Sequence, residues 1–390
     1  MFIVKEIKKI TNAKLINGIE TCKIEKFNVS AKNHYKNEFY IPIFWREDRQ
    51  QYIMDAVKSG AIGYIISKNY EREKEIIRES IKINPNIIIL EVEDINESIY
   101  EMAMYKRNEN INIPIIAVTG SVGKTSTCEM IASIIRKEKH VLADSGNNNV
   151  KQLISWLLLD IEDYEIAVLE AGIGRKDVME PISKLLMPSI AVINNIGTAH
   201  IEKLGSKENI LKEKMKLITH MKDEKIVFLN DDDAMLREVK LDSSYKVNRY
   251  SLSEAKNIIQ NENSICFEAN VYGENTKFNL NAYGNHNVLN AICAIKIGEL
   301  LNIDKEDIIN GINDYTSVDR RFKIIKENNY TIIDDTYNAS LDSMRAGLTS
   351  ADKLTAKRKL AILGEMLELG EYSKELHSQV GEVFKDVNFD

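Results

Sequence analysis

A β-branched apolar run, Ile115-Ile116-Ala117-Val118-Thr119, gives way to Gly120-Ser121-Val122-Gly123-Lys124-Thr125-Ser126. Beyond Thr125 the apolar residues Cys128, Ile131, Ala132, Ile134 and Ile135 recur at helical spacing. The run predicts a buried parallel strand, and the spacing after it predicts a helix. A strand that turns through glycine and Gly-Lys-Thr into a helix is the context of a phosphate-binding loop. Glycines there let backbone N–H groups approach phosphates, Lys124 reaches the β and γ oxygens, and Thr125 offers its hydroxyl to Mg²⁺. The usual loop carries a glycine five residues before its Gly-Lys pair; this chain has Val118 there and its first glycine at Gly120, so the loop is tighter.

Such a loop needs a parallel α/β sheet around it, and the chain supplies one. Strand and helix patterns alternate from Pro114 onward, which argues for parallel strands joined by right-handed crossovers. Buried strands are expected at Glu165–Glu170, Ser189–Ile193 and Ile226–Leu229, with a short one near Val141. Residues 245–283 read as shorter alternating β segments, and Gly284-Asn285-His286-Asn287 opens a long helix. Residues 1 to about 110 form a separate small α/β unit, with strands expected at Phe39–Phe44, Gly63–Ile66 and Ile87–Val92, and the polar, proline-ended stretch 108–114 closes it. The tail carries strands at Tyr330–Asp334 and Lys359–Leu363 around a helix from Ser340 to Lys353. A chain of 390 residues exceeds one ordinary core. The expected division is 1–112, 113–318 and 319–390. The last, a Rossmann-like α/β domain, stops after about 70 residues and is read as incomplete.

Composition removes several classes of function. With 52 basic and 59 acidic residues well mixed and a net charge of −7, no nucleic-acid footprint is present. No apolar run reaches the length of a membrane span, no signal peptide is evident, and the four cysteines lack metal or disulfide spacing. A cytoplasmic protein is the simplest expectation.

In an open α/β sheet, ligands collect beyond the carboxyl ends of the strands. Glu170 ends one predicted strand and His200 follows another, so Glu170 is a candidate Mg²⁺ ligand and His200 a metal ligand or phosphate contact. A capping carboxylate and a loop histidine bonded to backbone are the bland alternatives. Lys214 lies within an amphipathic segment, three or four residues from Ile210, Leu211, Leu217 and Ile218. An amine there must snorkel, pair, lose its proton or be modified. A neutral amine reacts with CO₂ to give a carbamate that ligates metal. Asp231-Asp232-Asp233 are expected to cap the next helix.

Several stretches together resemble the Mur ligase superfamily, the ATP-dependent amide ligases of cell-wall precursor synthesis. They are Thr119–Ser126, Asn195–Ile210 (Asn-Ile-Gly-Thr-Ala-His-Ile-Glu-Lys-Leu-Gly-Ser-Lys-Glu-Asn-Ile), Gly284–Ala291, Asp334–Ala339 and Gly364–Gly370. The last two point to the dipeptide-adding branch. The resemblance implies a small α/β substrate domain, a central P-loop domain of mostly parallel strands with helices on both faces, and a C-terminal α/β domain. It implies ATP and Mg²⁺, and a UDP-muramyl peptide and D-Ala-D-Ala as substrates; a monomer is expected. On its pattern Gly120 to Ser126 bind the ATP phosphates and Thr125 and Glu170 hold one Mg²⁺. His200 and a carbamylated Lys214 serve a second, Asn287 and Asn290 lie on the adenine side, and Arg320 and Asp334 meet the nucleotide from the third domain. The catalytic group it implies is Lys124, His200 and Lys214. Substrate contacts fall at Ser30, Lys32, Asn149, Tyr337 and Asn338.

The chain departs from that pattern at its substrate positions. Ser30-Ala31-Lys32 stands where the family carries Asp-Ser-Arg, Phe44–Gln50 lacks the Asp-Gly-His element, and Tyr337-Asn338-Ala339-Ser340-Leu341 replaces Tyr-Asn-Ala-Asn-Pro. Arg46 or Arg49 is positioned to compensate for the missing guanidinium. A paralogue joining another carboxylate and amine, and a nucleotide-binding protein without catalysis, are the alternative readings.

Overall fold

The structure, a computed structural model, describes residues 1–30, 37–44, 47–144, 149–261, 264–316 and 320–390. These form two compact units, Met1–Ile113 with Asn148–Tyr164, and Pro114–Asn147 with Glu165–Asp390.

The first unit is built on a five-stranded sheet in the order Lys14–Asn17, Ile88–Val92, Gly63–Ser67, Phe39–Tyr40 and Phe27–Asn28. Only the Lys14–Asn17 edge runs antiparallel. Gly63 is required here because a Cβ would lie 2.5 Å from the Ile88 carbonyl oxygen. The strand expected over Phe39–Phe44 is only two residues long. The backbone N–H and carbonyl of Phe44 bond the Asn96 side chain (3.1 and 2.8 Å) instead of a neighbouring strand. The Lys151–Leu158 helix belongs to this unit. There the Trp156 indole donates to the Phe27 carbonyl at 3.2 Å and the Lys151 ammonium meets Glu97 at 3.0 Å.

The second unit carries six parallel strands: β1 (Ile115–Thr119), β2 (Val141–Ala143), β3 (Ile166–Glu170), β4 (Ile190–Ile193), β5 (Ile226–Asn230) and β6 (Lys246–Tyr250). Their order is β6-β5-β4-β1-β3-β2, so β1 lies inside the sheet between β3 and β4. Every residue of β1 and β3 is buried, which explains their continuous apolar runs. The Lys124–Ile135 and Asn285–Leu300 helices pack with the sheet in one apolar core. The first segment expected to alternate after residue 245 is β6, the edge of this parallel sheet. The alternating strands begin later, as an antiparallel trio Lys256–Gln260, Ile265–Val271 and Glu274–Leu280. A two-residue turn at Tyr272-Gly273, both with positive φ, joins the last pair. No helix among the described residues is long and apolar enough to cross a membrane.

Near the C-terminus Lys323–Lys326 pairs with Thr331–Asp334, and Ser340 caps the Leu341–Asp352 helix. The strand expected at Lys359–Leu363 is absent among the described residues. Leu360 is 65% and Ile362 99% exposed, and no neighbouring strand there meets their backbone. An apolar run becomes a strand only where a second backbone pairs with it.

Candidate active site

The β1 strand delivers its chain end to the loop, and Gly123 at φ 79° lets the backbone reverse into the Lys124–Ile135 helix. The first-turn amides of that helix have no carbonyl one turn back, so they face forward as donors beside the Lys124 side chain. Two of the expected phosphate-binding residues are held in place by the segment after β4. The amides of Ser121 and Val122 both donate to Asn195 Oδ1 at 2.9 Å, and Gly197 N–H donates to the Ser121 hydroxyl at 2.8 Å. Asn195, just after β4, therefore templates the loop. Gly120 is tightly enclosed, since a Cβ would come within 2.9 Å of Asn194. Ser126 is buried in the first helical turn.

Glu170 ends β3, directly beside β1, and is 4% exposed. A carboxylate buried to that degree needs partners. Thr125 donates its hydroxyl to Glu170 Oε2 at 2.7 Å, and Lys124 Nζ lies 3.7 Å from Oε1. Arg321 Nη2 donates to the same Thr125 oxygen at 2.9 Å, with its guanidinium 4.2 Å over the Tyr337 ring. Oxygen donors at Thr125 and Glu170, next to cationic Lys124 and Arg321, suit a polyphosphate carrying a hard divalent cation.

Lys214 sits on the Lys207–Met215 helix, which Ser206 caps after Gly205 at φ 86°. The lysine is 2% exposed, as its place in the apolar stripe predicts. Burial drives its ammonium well below the ordinary lysine range, the charge of Lys124 adds to this, and Glu170 opposes it. Its neighbour Glu213 is a structural carboxylate, accepting from Val178 and Met179 N–H at 3.0 Å each. His200 follows β4 in the left-handed region, φ 63°. Burial holds its imidazole below the usual histidine range although Glu368, bonded to its Nδ1, pulls the other way.

The remaining predicted residues separate into two groups. Asn290 lies against the loop, its side-chain amide 3.3–3.4 Å from where a Cβ on Gly123 would stand. Asn287 is buried and donates to the Tyr283 carbonyl at 2.7 Å. Arg320 is exposed, and its carbonyl accepts from Tyr337 N–H at 3.2 Å. Asp334 accepts from the Thr336 hydroxyl at 2.6 Å, and Asn338 from Ala339 N–H at 3.0 Å. Asp233 caps its helix through Met235 and Leu236. Ser30 and Asn149 fall in the first unit. Ser30 lines a cavity of about 430 Å³ with Asn28, Glu38, Trp156 and Asp160. Arg49 Nη1 donates to the adjacent Val29 carbonyl at 3.0 Å. Lys32, Arg46 and the Gly146–Asn148 loop lie outside the described residues.

Sequence reasoning missed Asn195, Arg321 and Glu368. Asn195 and Glu368 stood inside motifs already noted, while Arg321 was hidden beside Arg320.

A parallel sheet with Gly-Lys-Thr at the end of an inner strand, backed by a carboxylate on the adjacent strand, defines a P-loop nucleotide-binding enzyme. The chain matches the Mur ligase middle domain over residues 118–298 and the Mur ligase glutamate ligase domain over 320–390. It is 31% identical over 375 residues to the UDP-N-acetylmuramoyl-tripeptide–D-alanyl-D-alanine ligase of Rickettsia prowazekii, covering 94% of this chain and 80% of that one. A crystal structure of MurF from Acinetobacter baumannii superposes with a TM-score of 0.83 at 24% identity, over 100% of this chain and 84% of that one. The MurF ligase of Thermotoga maritima in complex with ADP gives 0.75 at 25% identity, over 93% and 82%. The chain belongs to the Mur ligase family, and it is an ATP-dependent ligase.

Proposed function

We propose that the chain adds D-alanyl-D-alanine to a UDP-N-acetylmuramoyl tripeptide in peptidoglycan precursor synthesis, a reaction of the cytoplasm. The observation that carries this reading is the Lys124–Glu170–Thr125–Arg321 cluster at the loop, in a chain whose relatives bear that activity in their names. A substrate carboxylate oxygen attacks the γ-phosphorus, the bond to ADP breaks, and an acyl phosphate forms. The amine of the dipeptide then attacks the acyl carbon, phosphate leaves with the former carboxylate oxygen, and the amine proton goes to solvent or a base. Lys124, the first-turn amides and Arg321 meet the charge that spreads over the transferring group. Thr125, Glu170, His200 and a carbamylated Lys214 would hold Mg²⁺, which when bound offsets phosphate charge. Asn287 and Asn290 serve the adenine side, with Arg320 and Asp334 nearer the closing segment. Domains at 1–112, 113–318 and 319–390 carry the UDP end, the nucleotide and the closing element.

The cavity at Ser30 is proposed for the uridine end, with Lys32, Asn149, Tyr337 and Asn338 as further substrate contacts. Arg49 brings a guanidinium next to Ser30, but it is already committed to a carbonyl. Asp160 adds negative charge there as pH rises, since burial and then Asp163 push its carboxyl up to about 6. A lysine does not reproduce the bidentate fork of arginine toward diphosphate, so affinity for the UDP end is lowered by about 1–3 kcal/mol relative to a complete pocket. The test is ADP release, followed with UDP-MurNAc-tripeptide and D-Ala-D-Ala supplied singly and together. Release only with both, at high concentrations of the UDP substrate, is expected. Release with neither, or only with a different carboxylate and amine, overturns the assignment and favours the paralogue.

A further inference from the structure

Glu368 has no part in the chemistry above, yet it joins two segments of the second unit. One of its carboxylate oxygens bonds His200 Nδ1, and the other lies 3.5 Å from Lys203 Nζ. Around it the contact is extended by backbone. Glu202 N–H donates to the Glu368 carbonyl at 3.2 Å, and the Tyr372 hydroxyl donates to the Gly205 carbonyl at 2.8 Å. Gly370 lies so close that a Cβ would meet Glu202 Cγ at 2.9 Å. Residues 368–372 are thereby docked along residues 200–205. Both residues of the central pair have left-handed backbones, His200 at φ 63° and Glu368 at φ 60°. Non-glycine residues seldom adopt that region, and they keep it where the surroundings hold them there.

We propose that Glu368 is a positioning residue that fixes the tautomer of His200. A carboxylate only accepts, so the shared hydrogen is carried on Nδ1 and the ring's lone pair is left on Nε2. An imidazole committed in this way has a ligand atom for a cation and no donor for a phosphate oxygen. Of the two roles open to His200, the contact selects cation ligation. It also ties that role to docking of the 368–372 segment, in the manner of carboxylate–histidine pairs that orient metal ligands from behind. The inference rests on reading His200 as part of the ligase site.

The test reads the ring itself. Full-length protein labelled with ¹⁵N-histidine is examined by long-range ¹H–¹⁵N correlation at pH 8, where an ordinary imidazole is neutral, without metal or substrate. His200→Gln assigns the signal. The expected wild-type pattern is Nδ1–H, which is the less common tautomer of a free imidazole. Glu368→Ala should return it to mainly Nε2–H, Glu368→Gln should keep Nδ1–H through its amide oxygen, and the other histidines, unmoved, report an intact fold. In parallel, Mn²⁺ binding should weaken by about 10- to 100-fold in Glu368→Ala, recover in Glu368→Gln, and weaken in part in Tyr372→Phe. An Nε2–H wild type, or an Ala variant with unchanged tautomer or unchanged Mn²⁺ affinity, overturns the proposal. Because no substrate is present, failure of the ligase assignment would leave these readouts untouched.

Discussion

Lys124→Ala is expected to lower the rate of ATP-dependent ligation by about 100- to 1,000-fold or more, the cost of one preorganised contact to developing charge. The melting temperature should move little. Lys124 is in the first turn after the loop, with an 18% exposed side chain that approaches Glu170 at 3.7 Å. Its removal leaves Glu170 the Thr125 hydroxyl, so the buried carboxylate keeps a hydrogen-bond donor. The effect should lie in the chemical step, with kcat and kcat/KM for ATP falling together, because the ammonium meets charge that spreads only as the phosphoryl group moves. Steady-state kinetics and a thermal melt check this. Turnover within a few-fold of wild type would remove the loop from the reaction.

Lys214→Ala should be inactive, and short carboxylates such as formate or acetate should restore part of the activity. The lysine is almost wholly enclosed, and burial together with Lys124 depresses its ammonium well below the usual range. The sign follows: a lowered pKa means the neutral amine is populated at lower pH than in an ordinary lysine, and only the neutral amine adds CO₂. That addition forms one N–C bond, opens one C=O π bond of CO₂ onto its oxygen, releases one proton and turns a buried neutral amine into an anion, which the neighbouring Lys124 favours. The loss in Lys214→Ala should be about 100-fold or greater, on the scale of removing a preorganised charge. Rescue by an added carboxylate separates loss of a ligand from loss of fold. Lys214→Arg keeps the positive charge and does not add CO₂, so it should be as poor as Ala. If it matches wild type, snorkelling is the better account.

These two residues were legible in the sequence for a shared reason. The loop is contiguous, so strand, glycine, lysine and helix are read from neighbours. Lys214 is located by its three- and four-residue spacing from Ile210, Leu211, Leu217 and Ile218, although the last two lie in a 3₁₀ turn that follows the Lys207–Met215 helix. Glu170 followed because it ends a strand whose burial is plain from composition. Arg321 was not legible. Arg320 and Arg321 adjoin, and positive φ at Arg320 and Phe322 turns the second guanidinium onto Thr125. Nothing local announces those dihedrals. Asn195 and Glu368 act across 73 and 168 residues of chain, so their partners are set by packing. The Lys359–Leu363 run shows the reverse case, where composition alone suggested a strand and pairing decided otherwise.

The central claim is that a substrate carboxylate is activated by phosphoryl transfer at this loop. It is tested most directly with UDP-MurNAc-tripeptide carrying ¹⁸O in its terminal carboxylate, turned over with ATP and D-Ala-D-Ala, and mass analysis of the released phosphate. An acyl phosphate transfers one labelled oxygen to each phosphate as the amide forms, and that is the predicted result. Amide product accompanied by unlabelled phosphate would contradict it.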